Sequence, residues 1–161
     1  MSKFQRREYQ KLMTSFMLRH RRCNIWASTG AGKTGSVLWA LNRLFRNGQL
    51  TEEDRVLILA PLRVASGTWP AEQEKWQFPC LSVVDATGSE KRRIAALESD
   101  ANVVCTNYEV IEWLIDYYGK DDWPFTVIVA DESTKLKSFR SRSGGSKRAK
   151  ALSKVAFGKV K

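Results

Sequence analysis

The sequence predicts an α/β fold, a parallel sheet flanked by helices, on three observations. Short apolar runs alternate with stretches of helical periodicity, the pattern of strand–helix–strand units. The main runs are continuous in apolar character, as expected of strands covered on both faces. Two of the runs end directly on residues able to hold ligands, at the carboxyl ends of strands, where crevices form in such sheets.

Taken in order, residues 4–20 form an opening helix, with Phe4, Leu12, Phe16 and Leu18 as its apolar or aromatic positions. Residues 23–27, Cys-Asn-Ile-Trp-Ala, read as a short buried strand, followed by a Gly-rich turn. A helix is expected from Lys33 to about Asn47, closed by Gly48. The run 55–60, Arg-Val-Leu-Ile-Leu-Ala, is a strand stopped by Pro61. Residues 64–76 are helical, with Pro70 near a start or kink. Strands are expected at 81–84 and 102–105, and helices at 89–98 and 108–118. The run 125–130, Phe-Thr-Val-Ile-Val-Ala, is a strand ending on Asp131-Glu132. No internal repeat is present, and 138–148 is a Ser/Gly/basic stretch of low complexity.

A chain of 161 residues has room for one domain with a real core. An apolar fraction of 43%, with six Trp and seven Phe, excludes a disordered chain. The cysteines, Cys23, Cys80 and Cys105, are odd in number and far apart, and each sits in or beside an apolar run. Buried free thiols are expected, with neither a zinc site nor a disulfide framework. There is no apolar signal region and no membrane-length apolar stretch. A soluble, intracellular protein of the cytoplasm is expected, or of the host cytoplasm if the protein is viral.

The charge distribution says more than its size. The net charge is +10, and the chain is balanced from Met1 to Glu132. Beyond Glu132 stand Lys135, Lys137, Arg140, Arg142, Lys147, Arg148, Lys150, Lys154, Lys159 and Lys161, with no acid among them. Such a run suits a polyanion such as nucleic acid, or serves only as a solvated tail.

Residues 27–34, Ala-Ser-Thr-Gly-Ala-Gly-Lys-Thr, lie between an expected strand and an expected helix, the setting a phosphate-binding loop requires. Gly30 and Gly32 let backbone N–H groups of Thr29, Gly30, Ala31 and Gly32 turn inward around phosphate oxygens, beside the positive end of the next helix. Lys33 reaches the β- and γ-phosphates and the Thr34 hydroxyl binds Mg²⁺. Ala27 stands where the general pattern has its first glycine. A Gly-rich turn with an incidental lysine is the plainer alternative, and strand before, helix after and the intact Gly-Lys-Thr ending weigh against it. Asp131 and Glu132 are the natural partners, Asp131 holding Mg²⁺ and Glu132 orienting or deprotonating the attacking water. Alone, an acidic pair at a strand end could simply start a turn.

With those residues in place, the chain resembles the first RecA-like domain of superfamily-two helicases, nearest the Swi/Snf-type translocase branch with its phage members. The resemblance covers nearly the whole chain. Residues 7–10, Arg-Glu-Tyr-Gln, resemble the adenine-reading motif, which implies that Gln10 pairs with the base of ATP. Residues 60–63, Ala-Pro-Leu-Arg, with Trp69 and 74–76, Glu-Lys-Trp, resemble motif Ia; residues 106–109, Thr-Asn-Tyr-Glu, resemble motif Ib. This implies contacts of Arg63, Thr106 and Asn107 with a nucleic-acid backbone, double-stranded DNA foremost. Read without the resemblance, Gln10 is an ordinary helix residue, Arg63 a solvated charge and Thr106-Asn107 a helix cap. Residues 131–138 resemble motif II with the branch's downstream lysine, and 146–152 its next helix. Ser133-Thr134 depart from the usual completion of motif II.

The resemblance also implies a motif III strand between the phosphate-loop strand and the motif II strand, then a second RecA-like domain bearing an arginine finger. The chain stops at Lys161, before either. A truncated or split product is therefore expected. Two parallel strands would lack a neighbour unless another segment or chain fills the slot. The absent finger would cost about 10³–10⁵ in rate. The leading expectation is the ATP- and Mg²⁺-binding half of a nucleic-acid-dependent ATPase, with a second RecA-like domain in cis or trans and no membrane partner. A non-catalytic nucleic-acid-binding fragment and a phosphate-loop small-molecule kinase are the alternatives. His20 is expected at the surface, the tryptophans mostly in the core, and Trp123 packed at a loop.

Overall fold

The computed structural model describes residues 5–119 and 121–132 together with positions 150, 152, 153 and 155. Four helices and strands lead in: α1 (Glu8–Arg19), α2 (Lys33–Arg46), β1 (Arg55–Ala60) and α3 (Trp69–Trp76). They are followed by β2 (Val83–Asp85), α4 (Glu90–Leu97), β3 (Val103–Asn107), α5 (Ile111–Tyr118) and β4 (Phe125–Ala130). The strands form one sheet in the order β2-β3-β1-β4, and every pairing is parallel. The expected α/β architecture is what the chain adopts.

β1 lies at the centre because its residues can be buried on both sides. Val56, Leu57, Ile58, Leu59 and Ala60 are all fully buried. Successive side chains of a strand point to opposite faces, and the core divides accordingly. Leu57 and Leu59 pack with Val104, Phe125, Ala96, Ile111 and Leu114 on the face covered by α4 and α5. Val56, Ile58 and Ala60 pack with Val103, Cys105, Leu38, Leu41 and Trp69 on the face covered by α2 and α3. Burial on this scale, at about 25 cal/mol per Å² of apolar surface, is the main force holding the sheet.

Details sharpen several sequence expectations. The helix expected over 64–76 is two pieces: a π-helical turn, Val64–Thr68, then α3 with Pro70 in its first turn, where a missing N–H costs nothing. Similarly, a 3₁₀ turn, Tyr108–Val110, precedes α5. Positions 150, 152, 153 and 155 are helical or buried in keeping with the expected downstream helix, and Leu152 and Val155 enter the core beneath α4 and α5. Residues 133–149, with most of the basic run and Ser133-Thr134, lie outside the described residues.

Two expectations are corrected. Residues 23–27 are not a buried strand: they carry no strand geometry, and Trp26 is 93% exposed. A strand needs a neighbour for its N–H and C=O groups, and among the described residues β1–β4 pair only with one another, so this segment gains none there. For the same reason Cys23 is exposed; Cys80 is half-buried, and only Cys105 fits the expectation of a buried thiol. All three are free. Trp69 and Trp123 are buried as expected, and His20 is exposed. No described helix is long and apolar enough to cross a membrane.

Candidate functional site

The phosphate-loop candidate sits where α2 begins. Gly30 (φ 80°) and Gly32 (φ 68°) both adopt left-handed backbone, which costs a residue with a Cβ about 1–2 kcal/mol. The glycines of the motif are therefore required by the path of the chain. Gly32 is the N-cap of α2, so the unpaired N–H groups and positive dipole end of a 14-residue helix open onto the loop. No acidic residue lies in its first turn to compete with an anion. Thr34 is the second residue of that helix, half-buried.

Lys33 folds back over the loop, its Nζ donating to the carbonyls of Ala27 and Ser28, both at 3.0 Å. Beside it is a cavity of about 390 Å³ lined by Tyr9, Ala27, Ser28, Thr29, Gly30 and Ala31.

Gln10 lies against the loop. It is only 6% exposed, its Nε2 donating to the Ala31 carbonyl at 3.3 Å and its Oε1 accepting from the Arg7 N–H at 2.8 Å. A Cβ on Gly32 would collide with this amide. Gln10 thus braces the loop, while the neighbouring Tyr9 lines the cavity. Sequence reading named Gln10 and passed over Tyr9, although an aromatic residue next to a suspected base reader was a usable signal.

Across from the loop, β4 delivers the acidic pair. The Asp131 N–H donates to the Leu59 carbonyl at 2.8 Å, extending the β1–β4 ladder one residue past the strand. The Asp131 carbonyl accepts a 2.6 Å hydrogen bond from the Tyr108 hydroxyl. Glu132 then turns the chain at φ 54°, a left-handed conformation worth about 1–3 kcal/mol of strain in a non-glycine residue and concentrated at functional sites.

Burial raises the Asp131 carboxyl above the ordinary carboxylate range, and the Glu132 charge adds to this; the Trp69 indole and the Lys33 ammonium oppose it. The Lys33 charge thus bears on Asp131 at a distance, while its Nζ is bonded to the Ala27 and Ser28 carbonyls. The indole Nε1 of Trp69 is buried and makes no close hydrogen bond, yet it sits near enough to favour the charged form of Asp131. The π-helical turn before it ends with the Trp69 N–H on the Val64 carbonyl and aims the ring inward.

The presumptive nucleic-acid residues divide. Arg63 is exposed directly after β1. Thr106 is 1% exposed and its hydroxyl donates to the Ala86 carbonyl at 2.8 Å, so that side chain is committed to the core. Asn107 is also buried and donates to Glu109 at 2.8 Å; it stands at the N-cap of the 3₁₀ turn, as the helix-cap reading has it, though its side chain bonds none of the turn's N–H groups.

Taken together, these elements define a parallel α/β protein with a glycine loop at a helix N-terminus, a lysine folded over it and an acidic pair at a strand end, a donor set of the kind that suits a Mg²⁺-bound nucleotide. The sequence profile of the SNF2-related domain matches residues 5–155, and the chain belongs to that family. It is 48% identical over 162 residues to protein p41 of Acyrthosiphon pisum secondary endosymbiont phage 1, covering 99% of this chain and 34% of that protein. It is 30% identical over 120 residues to TATA-binding protein-associated factor BTAF1 of Arabidopsis thaliana, covering 70% of this chain and 6% of that one. The fold matches the Sulfolobus solfataricus SWI2/SNF2 ATPase core in complex with dsDNA with a TM-score of 0.72 at 23% identity, over 95% of this chain and 30% of that one. The chain thus spans about a third or less of each of these relatives. The RecA-like fold and Swi/Snf-type kinship implied by the motifs hold.

Proposed function

We propose that this chain, over residues 1–161, is the first RecA-like domain of a DNA-dependent ATPase, binding ATP and Mg²⁺ and coupling hydrolysis to movement along nucleic acid. What supports this reading is the glycine loop at the N-terminus of α2 with Lys33 folded over it, together with an acidic pair at the end of β4 whose Asp131 feels the Lys33 charge. On ATP binding, Lys33 would leave the Ala27 and Ser28 carbonyls for the β- and γ-phosphates, and the first N–H groups of α2 would take the remaining phosphate oxygens. Thr34 and Asp131 would hold the metal, which supplies charge neutralisation on the phosphates. Glu132 would orient the attacking water.

Gln10 would serve the base edge only by exchanging its bond to Ala31, so adenine recognition and loop geometry would be linked through one amide. Arg63 is the better candidate for a phosphate contact on DNA, because Thr106 and Asn107 are committed elsewhere. The dsDNA in the Sulfolobus solfataricus complex supports DNA as the partner, and a second RecA-like domain, in cis or in trans, would supply the arginine finger.

The test is ATP binding by calorimetry together with ATPase assays, with and without duplex DNA. The expected result is Mg²⁺-dependent ATP binding that Lys33→Ala weakens by about 10–100-fold, the loss of a hydrogen-bonded charge. Hydrolysis stimulated by DNA is expected once the second domain is added. Unchanged ATP affinity in Lys33→Ala would refute the reading. Salt-sensitive DNA binding with no turnover, even with the second domain present, would show a non-catalytic DNA-binding module.

A further inference from the structure

Tyr108 is the residue that the proposed chemistry leaves unused. It follows β3 directly, as Asp131 follows β4, and the two strands flank β1. Strands two apart in a sheet are separated by about 9–10 Å, and the phenol spans that gap past the end of β1. Its ring is 1% exposed and packed in the apolar cluster with Leu59, Ile111 and Phe125. Its hydroxyl meets the Asp131 carbonyl at 2.6 Å.

The Asp131 residue is thus gripped at both ends of its main chain, through N–H by Leu59 and through C=O by Tyr108. Immediately afterwards the chain makes its left-handed turn at Glu132. Such a conformation persists only where the surroundings over-determine it, and the grip on the preceding carbonyl is one of the constraints on it.

We infer that Tyr108 is a positioning residue for the acidic pair: its hydroxyl fixes the Asp131 peptide, and so sets where both carboxylates point toward the metal. This rests on the nucleotide reading above. Burial, with the Asp131 and Glu132 charges, pushes the phenol far above its ordinary range, so it remains a donor at any working pH. Because Tyr108 directly follows Asn107 at the end of β3, a displacement of that strand end would reach Asp131 through this bond as well as through β1.

A plainer reading is that a buried tyrosine has merely found an acceptor. Tyr108→Phe separates the two, since it removes the hydroxyl and keeps the ring. ATP affinity would be measured by calorimetry in excess EDTA and in Mg²⁺, on the whole chain. Amide exchange at Asp131 and Glu132 would be followed without nucleotide. Leu114→Ala, in the same apolar cluster, provides a variant of lowered stability whose side chain is not bonded to the acidic pair.

For Tyr108→Phe the gain in affinity given by Mg²⁺ should fall by about 3–10-fold, the value of one hydrogen bond, while affinity in EDTA stays within about twofold. Exchange at Asp131 and Glu132 should accelerate by about tenfold relative to Ile58 in β1. Leu114→Ala should show neither change. The inference is overturned if the Mg²⁺ gain is unaltered, if Leu114→Ala reduces it equally, or if exchange at Asp131 and Glu132 rises no more than at Ile58. Should the wild-type chain bind no ATP with Mg²⁺, the functional reading fails by itself. The exchange comparison then still decides whether Tyr108 holds the 131–132 main chain.

Discussion

The acidic pair and the phosphate loop lie within electrostatic reach of each other, yet the molecule holds them by unlike means. Asp131 continues a strand whose neighbour, β1, is buried on both faces, and it is bonded to Leu59 and Tyr108. The loop is approached through residues 23–27, which join no strand, and is steadied by α2 and by the Gln10 amide. Around it apolar groups stay in water: Leu12 is 72% exposed, and Tyr9 and Phe16 are exposed on the same side of α1, at helical spacing. The acidic pair is therefore built on the core, and the glycine loop hangs beside it. Local stability should differ between them accordingly.

That contrast can be broken most forcefully at the core. Ile58→Ala, in the middle of β1, should cost about 2–5 kcal/mol in urea unfolding through lost burial and the cavity left behind. A smaller loss would mean that β1 is not the keystone. Gly32→Ala should come next, at about 1–2 kcal/mol from the left-handed backbone alone. Its added Cβ should also displace Gln10 and weaken ATP binding. Pairing it with Gln10→Ala should recover the steric part of the loss and leave the backbone part.

A pH series probes the other half. If Asp131 holds Mg²⁺ as proposed, a proton would compete with the metal for its carboxylate, whose folded pKa is raised. As pH falls from neutrality, the Mg²⁺-dependent part of ATP affinity should therefore fade at a higher pH than an ordinary aspartate would give. Asp131→Asn should remove that dependence. For stability the sign is opposite to that of a salt-bridged acid. The contribution of this group is greatest below its unfolded pKa and is lost as pH rises through the raised folded value, so Asp131→Asn should stabilise the chain near neutrality. Least of all, Leu12→Gln and Trp26→Ser should alter stability by no more than about 0.5 kcal/mol, since both side chains are already in water.

Much of the sheet was legible in the sequence because burial on two faces leaves a plain mark. The runs 55–60 and 125–130 are strands with the bounds their apolar residues suggested. Asp131-Glu132 could be read for the same reason, as polar residues ending such a run. Residues 23–27 show where this logic stops. Ile25, Trp26 and Ala27 are apolar, but a strand is a property of a pair, and composition cannot show whether a partner is present. Thr106 was hidden differently: it lies within β3, and whether its hydroxyl faces inward to Ala86 depends on register between β2 and β3. Tyr108 and Trp69 both stood within quoted motifs with no role given them. Their bearing on Asp131 arises from strand order and a π-helical turn, neither of which a linear pattern encodes.

The central claim is that Lys33 and Asp131 act on one metal–nucleotide complex. A double-mutant cycle tests it most directly, with ATP affinity measured for the wild type, Lys33→Ala, Asp131→Asn and the double variant, in Mg²⁺ and again in EDTA. If the two share one complex, their effects in Mg²⁺ should fall short of additivity by about 1 kcal/mol or more, with a smaller coupling in EDTA. Strictly additive losses in Mg²⁺ would contradict it, placing the ammonium and the carboxylate in separate sites.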